Sequence, residues 1–128
     1  MQIEYRIFLK ENLQDKVYPL LPYHSNKLGF YIDIIDDIID FIKEHKLLIV
    51  FGEIFTKIDE NIYDYDVTGF THWEYKCDIK KDYNVCINEA IDEMKRYLTF
   101  VSSIRNDRYL ISLTLYDKYS IYNLNLND

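Results

Sequence analysis

Residues 30–58, FYIDIIDDIIDFIKEHKLLIVFGEIFTKI, carry two hydrophobic periods in succession, and the switch between them sets the fold class. At 100° per residue, Tyr31, Ile34, Ile35, Ile38, Ile39, Phe41 and Ile42 share one broad apolar arc, while Asp33, Asp36, Asp37, Asp40 and Glu44 fall opposite. The spacing predicts an amphipathic helix over 30–45, with Lys43, His45 and Lys46 gathered at the end where the helix dipole favours cations. From residue 47 the pattern becomes apolar at both parities up to Gly52, with Leu48 and Val50 on one face and Ile49 and Phe51 on the other. A strand covered on both sides has this pattern, so 47–58 is expected at the centre of a sheet.

Working outward, Asp59, Glu60 and Asn61 supply turn chemistry, and Tyr63, Tyr65 and Val67 alternate with Asp64 and Asp66, which predicts an antiparallel hairpin. Thr71, Trp73, Tyr75 and Cys77 share one parity against His72, Glu74 and Lys76, giving a third strand anchored by Trp73. Gly52, inside the buried strand, is read as a bulge or a point of close helix approach. After the polar turn 78–82, Val85, Ile87, Ala90, Ile91, Met94, Tyr97, Leu98 and Val101 recur at helical spacing, and Tyr109, Ile111, Leu113 and Leu115 alternate as a closing strand. Upstream, Ile3, Tyr5, Ile7 and Leu9 alternate as a short strand, and Pro19 to Gly29 reads as an irregular connection. The expected fold is α+β: two amphipathic helices packed on one face of a mostly antiparallel sheet of four to five strands. It forms one domain over 1–128, with a core at about 28–116 and a polar tail at 117–128.

The chain has 128 residues, and its 15 Lys and Arg against 22 Asp and Glu leave a net charge of −7. That balance provides no basic field for phosphates or an anionic bilayer, so neither nucleic acid nor membrane is an expected direct partner. Twenty-one aromatic residues and 48% hydrophobic content separate it from a disordered acidic tail. No stretch reaches the length of a membrane span, and the first residues lack a secretory pattern, so a cytoplasmic location is expected. Cys77 and Cys86, nine positions apart without a CxxC or a zinc spacing, are expected as free thiols.

The helix opening after Leu28-Gly29, the strand Ile49-Val50-Phe51-Gly52-Glu53-Ile54-Phe55, the alternating Trp73, Tyr75 and Cys77, and the helix carrying Ala90 and Tyr97 together resemble bacterial polymorphic-toxin immunity proteins. Within that group the chain resembles the immunity protein 40 family, over about 28–116. It departs from the family pattern in having Phe51-Gly52-Glu53 for a paired glycine and acid, and Trp73-Glu74-Tyr75 for an adjacent Trp and Tyr. The resemblance implies a small cytoplasmic protein of a contact-dependent growth-inhibition or related toxin system. Such a protein binds the C-terminal domain of its cognate toxin and does no chemistry, and the toxins are often nucleases with cationic clefts.

Charge leads to the same partner class independently. Asp33/Asp37, Asp36/Asp40 and Asp40/Glu44 are like-charge pairs at i,i+4, each costing about 0.2–0.5 kcal/mol in an isolated helix. A cationic partner would relieve that repulsion and be steered by it; a solvated face serving only solubility is the alternative. Candidate contacts are therefore Asp33, Asp36, Asp37 and Asp40 or, as a competing patch, Asp64, Asp66 and Glu74. No cofactor or metal is expected, and no catalytic motif is visible, since Ser102-Ser103 lacks the context of a nucleophile elbow and three glycines cannot build a phosphate loop. The competing enzyme reading is a small hydrolase using His72 with Asp64 or Asp66 across from it, in metal or acid/base chemistry. A third reading is an adaptor that uses the same acidic surface.

Overall fold

A computed structural model describes residues 13, 15–20, 24–59, 62–65, 72–104 and 108–118, with 24–26, 58–59 and 62–65 described by their backbone alone. The order is β1 (Tyr18–Leu20), β2 (His24–Gly29), a 3-10 turn (Ile32–Ile34), α1 (Ile35–Glu44), β3 (Leu48–Asp59), β4 (Ile62–Tyr65), β5 (His72–Glu74), α2 (Tyr83–Ile104) and β6 (Leu110–Tyr116). Among the described residues the fold is α+β, with the two α-helices α1 and α2 and antiparallel strands. The strand expected over residues 3–9 lies outside the described residues. Pro19 to Gly29, read as an irregular connection, is instead the antiparallel pair β1–β2, with Tyr18 opposite Gly29. Pro19 survives in so short a strand because an edge position can spare its missing N–H.

The strands divide between two sheets rather than forming the single one expected. β3 is the central strand of the larger sheet, and Phe55 on it pairs with both Tyr65 of β4 and Leu110 of β6. A strand has two edges, so β6 takes one, while β4 and β5 share the other in succession, β5 meeting 51–53 and β4 meeting 55–59. Between the two sheets, backbone hydrogen bonds among the described residues are made at one bridge, where Phe30 N–H donates to the Ile111 carbonyl (2.9 Å) and Ile111 N–H donates back to Phe30 (2.8 Å).

Burial follows parity. Ile49, Ile54, Trp73, Ile111, Leu113 and Leu115 join Ile38 and Ile42 of α1 and Ile91, Met94 and Leu98 of α2 in one core. On the opposite face Phe55, Leu110 and Leu20 form a smaller cluster beneath the β1–β2 sheet. Leu48 and Ile49 are both buried, as are Gly52 to Phe55 in succession, so β3 is covered on both faces as its apolar run at both parities predicts.

The helix ends are set by local chemistry. Asp82 caps α2, its Oδ1 accepting the Asn84 N–H at 2.9 Å. α1 ends in a Schellman turn: Leu47 N–H donates to the Ile42 carbonyl (3.0 Å), Lys46 N–H to that of Lys43 (3.3 Å), and Lys46 takes φ 53°. That reversal delivers the chain directly into β3.

Candidate protein-interaction surface

α1 buries Ile38, Ile39, Phe41 and Ile42 and turns its acids to solvent. The four aspartates of this face do not stand alike. Arg108, entering β6, donates to Asp33 Oδ2 (2.9 Å) while its guanidinium lies 3.8 Å over the Tyr31 ring. Lys16 pairs with Asp37 Oδ2 at 3.3 Å. Asp36 and Asp40, one turn apart, are exposed and have no ion pair among the described residues. Among the described residues the acidic face thus divides into two neighbouring rows: Asp33 and Asp37 are paired within the chain, and Asp36 and Asp40 are not. Exposed pairs such as these contribute about 0–1 kcal/mol, so a partner could displace them cheaply.

Two concavities border this face. Leu13, Lys16, Asp37, Asp40, Phe41 and Glu44 line a shallow one of about 240 Å³. Between the 3-10 turn and α2, Ile32, Ile35, Lys95, Leu98, Thr99 and Ser102 line a more apolar cleft of about 400 Å³, with Ile32 left 40% exposed.

The competing patch falls only partly within the described residues. Asp64 stands opposite Thr56 on β3 and Glu74 opposite Phe51, and with no register shift between residues 51 and 56 these positions belong to opposite faces of the sheet. Asp66 lies outside the described residues. The hydrolase constellation changes partners for the same reason, because His72 pairs with Glu53 rather than with Asp64. Its ring stacks on Phe51 at 5.5 Å. Among the described residues no group of three His, Cys, Asp or Glu is placed to hold a metal ion.

Glu53 is the residue that the pattern reading passed over. It sits buried in the central strand between His72 of β5 and Ser112 of β6, and its carboxylate accepts a hydrogen bond from Lys27 of β2 at 2.5 Å. The available signal was an acid inside a run apolar at both parities. A buried charge persists only where it is paired.

A second cluster surrounds the start of α2. Tyr75 donates its hydroxyl to Glu89 Oε1 (3.0 Å), and Lys81 reaches both Glu89 oxygens (3.1 and 3.0 Å), holding that carboxyl below its ordinary range. Burial, then the neighbouring Cys86, pushes the Cys77 thiol up to about 11. Trp73 fills the core as expected and stacks on Tyr97 at 4.8 Å. The partner expected for its indole N–H is missing among the described residues, as is one for the Tyr97 hydroxyl.

In comparisons with known proteins, no family model, no curated protein and no solved structure matches this chain. Among the described residues, no helix is long and apolar enough to cross a membrane. The functional reading therefore stands on the chain's own charge and geometry.

Proposed function

We propose that this protein is a non-catalytic immunity protein. It binds the cationic C-terminal domain of a cognate bacterial toxin in the cytoplasm and blocks it through the acidic face of α1. The observation that carries the reading is the pair Asp36 and Asp40, exposed one turn apart with no ion pair among the described residues, beside the row of Asp37 and Asp33 that Lys16 and Arg108 hold. Fixed negative charge of this kind raises association rates with a basic surface by roughly 10- to 1,000-fold at low salt. The clefts on either side offer places where apolar side chains of the same partner would add slow dissociation.

The test is co-expression with the product of the adjacent gene, followed by co-purification and a growth assay. Protection is expected with the native chain, and Asp36→Lys with Asp40→Lys should slow association at low salt while leaving the melting temperature within a few degrees. Unchanged association kinetics at low salt would move the interface off α1. Turnover of a substrate by the purified chain would overturn the reading altogether.

A second reading has one observation in its favour: His72 lies directly across from the buried Glu53. It proposes a small acid/base hydrolase in which Glu53 orients the imidazole. His72→Ala separates the two, since it should leave protection intact in an immunity protein and abolish activity in such an enzyme.

A further inference from the structure

Ile32 of the 3-10 turn stays 40% exposed beside the cleft of about 400 Å³, although the helix that follows buries its own apolar side in the core. No residue of that turn is buried. Ile35 continues the α1 wall, and Lys95, Leu98, Thr99 and Ser102 form the wall on α2. The two hydroxyls of the cleft are already engaged, since Thr99 Oγ1 donates to the Lys95 carbonyl (2.8 Å) and Ser102 Oγ shares a hydrogen bond with the Tyr109 hydroxyl (2.9 Å). What remains for a visitor is apolar surface and one cation. Lys95 is exposed and has no ion pair among the described residues.

Charge is divided across this opening. On α1, Asp36 stands next to Ile35, about 100° round the helix toward solvent, and has no ion pair among the described residues. On α2 stands Lys95. The smaller concavity differs, because Lys16 and Asp37, both among its lining residues, are already joined to each other at 3.3 Å. An apolar recess between a free acid and a free base suits an apolar side chain whose neighbours in its own chain carry opposite charges.

We propose that this cleft is the anchor pocket of the interaction face. It receives one large apolar side chain of a partner protein, flanked in that partner by a basic residue that meets Asp36 and an acidic residue that meets Lys95. The proposal rests on the immunity reading for the identity of the partner, whereas the chemistry of the cleft sets what it accepts. A purely basic segment is repelled by Lys95 and a purely acidic one by Asp36, so the opposed charges also fix the direction in which the segment crosses the two helices. The acidic row governs how fast the partner arrives, and the anchor governs how long it stays.

The test presents random peptides on phage to the immobilised full-length chain. Enriched sequences are expected to place a large apolar residue between a basic and an acidic one, and synthetic peptides of those sequences should bind in solution. Thr99→Trp fills the cleft from its exposed rim, and Ile32→Asn removes an apolar wall. Each should weaken such a peptide at least about tenfold, the loss of one hot-spot contact. Lys95→Glu should also weaken it, and changing the acid of the peptide to lysine should restore binding. Circular dichroism checks that the variants fold, and Ile32→Asn decides if the bulkier Trp does not. The absence of any enriched peptide, equal binding to the native chain and both cleft variants, or tighter binding to Lys95→Glu would each overturn the proposal.

A separate arm uses the C-terminal domain of the adjacent gene's product as the probe. Thr99→Trp should speed its dissociation and leave association unchanged. If Asp36→Lys slows association while Thr99→Trp leaves dissociation unaltered, the anchor is overturned and the immunity reading stands. If that domain does not bind the native chain, the immunity reading falls, and the peptides alone uphold or overturn the anchor.

Discussion

The indole of Trp73 lies across Gly52, its directly opposed partner on the neighbouring strand. A Cβ built on the glycine would come within 2.1 Å of the ring. A bulge or a close helix approach is expected at this glycine from the sequence; the nearest register shift in β3 lies between Ile49 and Phe51, and the close approach at Gly52 comes from a cross-strand ring. Tyr97 of α2 stacks on that ring, so the missing side chain on β3 is what lets an aromatic layer form between sheet and helix.

Gly52→Ala should therefore destabilise the protein by about 3 kcal/mol, at the upper end of what overpacking costs in a well-filled core. Urea unfolding measures it. In a double-mutant cycle with Trp73→Leu, the alanine should cost less than about 1 kcal/mol, because the ring it displaces is gone. Additive losses would show that the glycine serves the backbone instead.

Lys27→Met removes the cation that pairs with Glu53 and should cost about 3 kcal/mol, the lower end for breaking a buried pair, since Lys27 keeps partial contact with water. Adding Glu53→Leu should recover most of that loss, because no uncompensated charge remains. Equal stability of the single and double variants would mean that Glu53 is solvated.

Lys46 turns the chain at φ 53°, a conformation that costs a residue with a Cβ about 1 kcal/mol relative to glycine. Lys46→Gly should raise the unfolding midpoint accordingly. It also preserves the carbonyl that accepts the Tyr83 hydroxyl at 2.8 Å. A fall in stability would mean that the lysine side chain contributes more than its backbone costs.

Alkaline pH should weaken the fold from the β5–α2 side. Burial raises the Cys77 thiol from 9.0 to about 11 and moves the Tyr75 and Tyr83 hydroxyls upward as well. Above pH 9 the unfolded chain loses protons that the folded chain keeps, so the folded state binds more and stability falls as pH rises. The contribution of Cys77 is complete below about pH 9 and lost between pH 9 and 11. Unfolding midpoints at pH 8, 9.5 and 10.5 should decline in that order, with a shallower slope in Cys77→Ala. Flat midpoints would place these groups in water.

Much of the backbone was legible in the amino-acid order. α1, β3, α2 and β6 are long enough for a period of 3.6 or 2 to repeat, and most residues named for their apolar faces are found in or against the core, although Val85 of α2 is exposed and Cys86 beside it is buried instead. β1 and β2 escaped notice because Pro19, Gly29 and the polar residues between them carry turn chemistry rather than a period of 2, whereas Leu20 is buried by Phe55 and Leu110, far along the chain. The acidic helix face was equally visible, yet its division into held and unheld aspartates was not, because Arg108 is 75 positions from Asp33.

By itself the sequence determined most of the residues that face inward, the presence and order of the two helices, and the excess of negative charge. These are local consequences of side-chain period and composition. The tertiary structure alone decided that Glu53 has Lys27, that His72 pairs with Glu53 rather than with residue 64, and that positions 64 and 74 belong to opposite faces. Each of these depends on strand register or on a chain reversal, and a shift of one residue in either would exchange every partner while leaving the hydrophobic pattern almost unaltered.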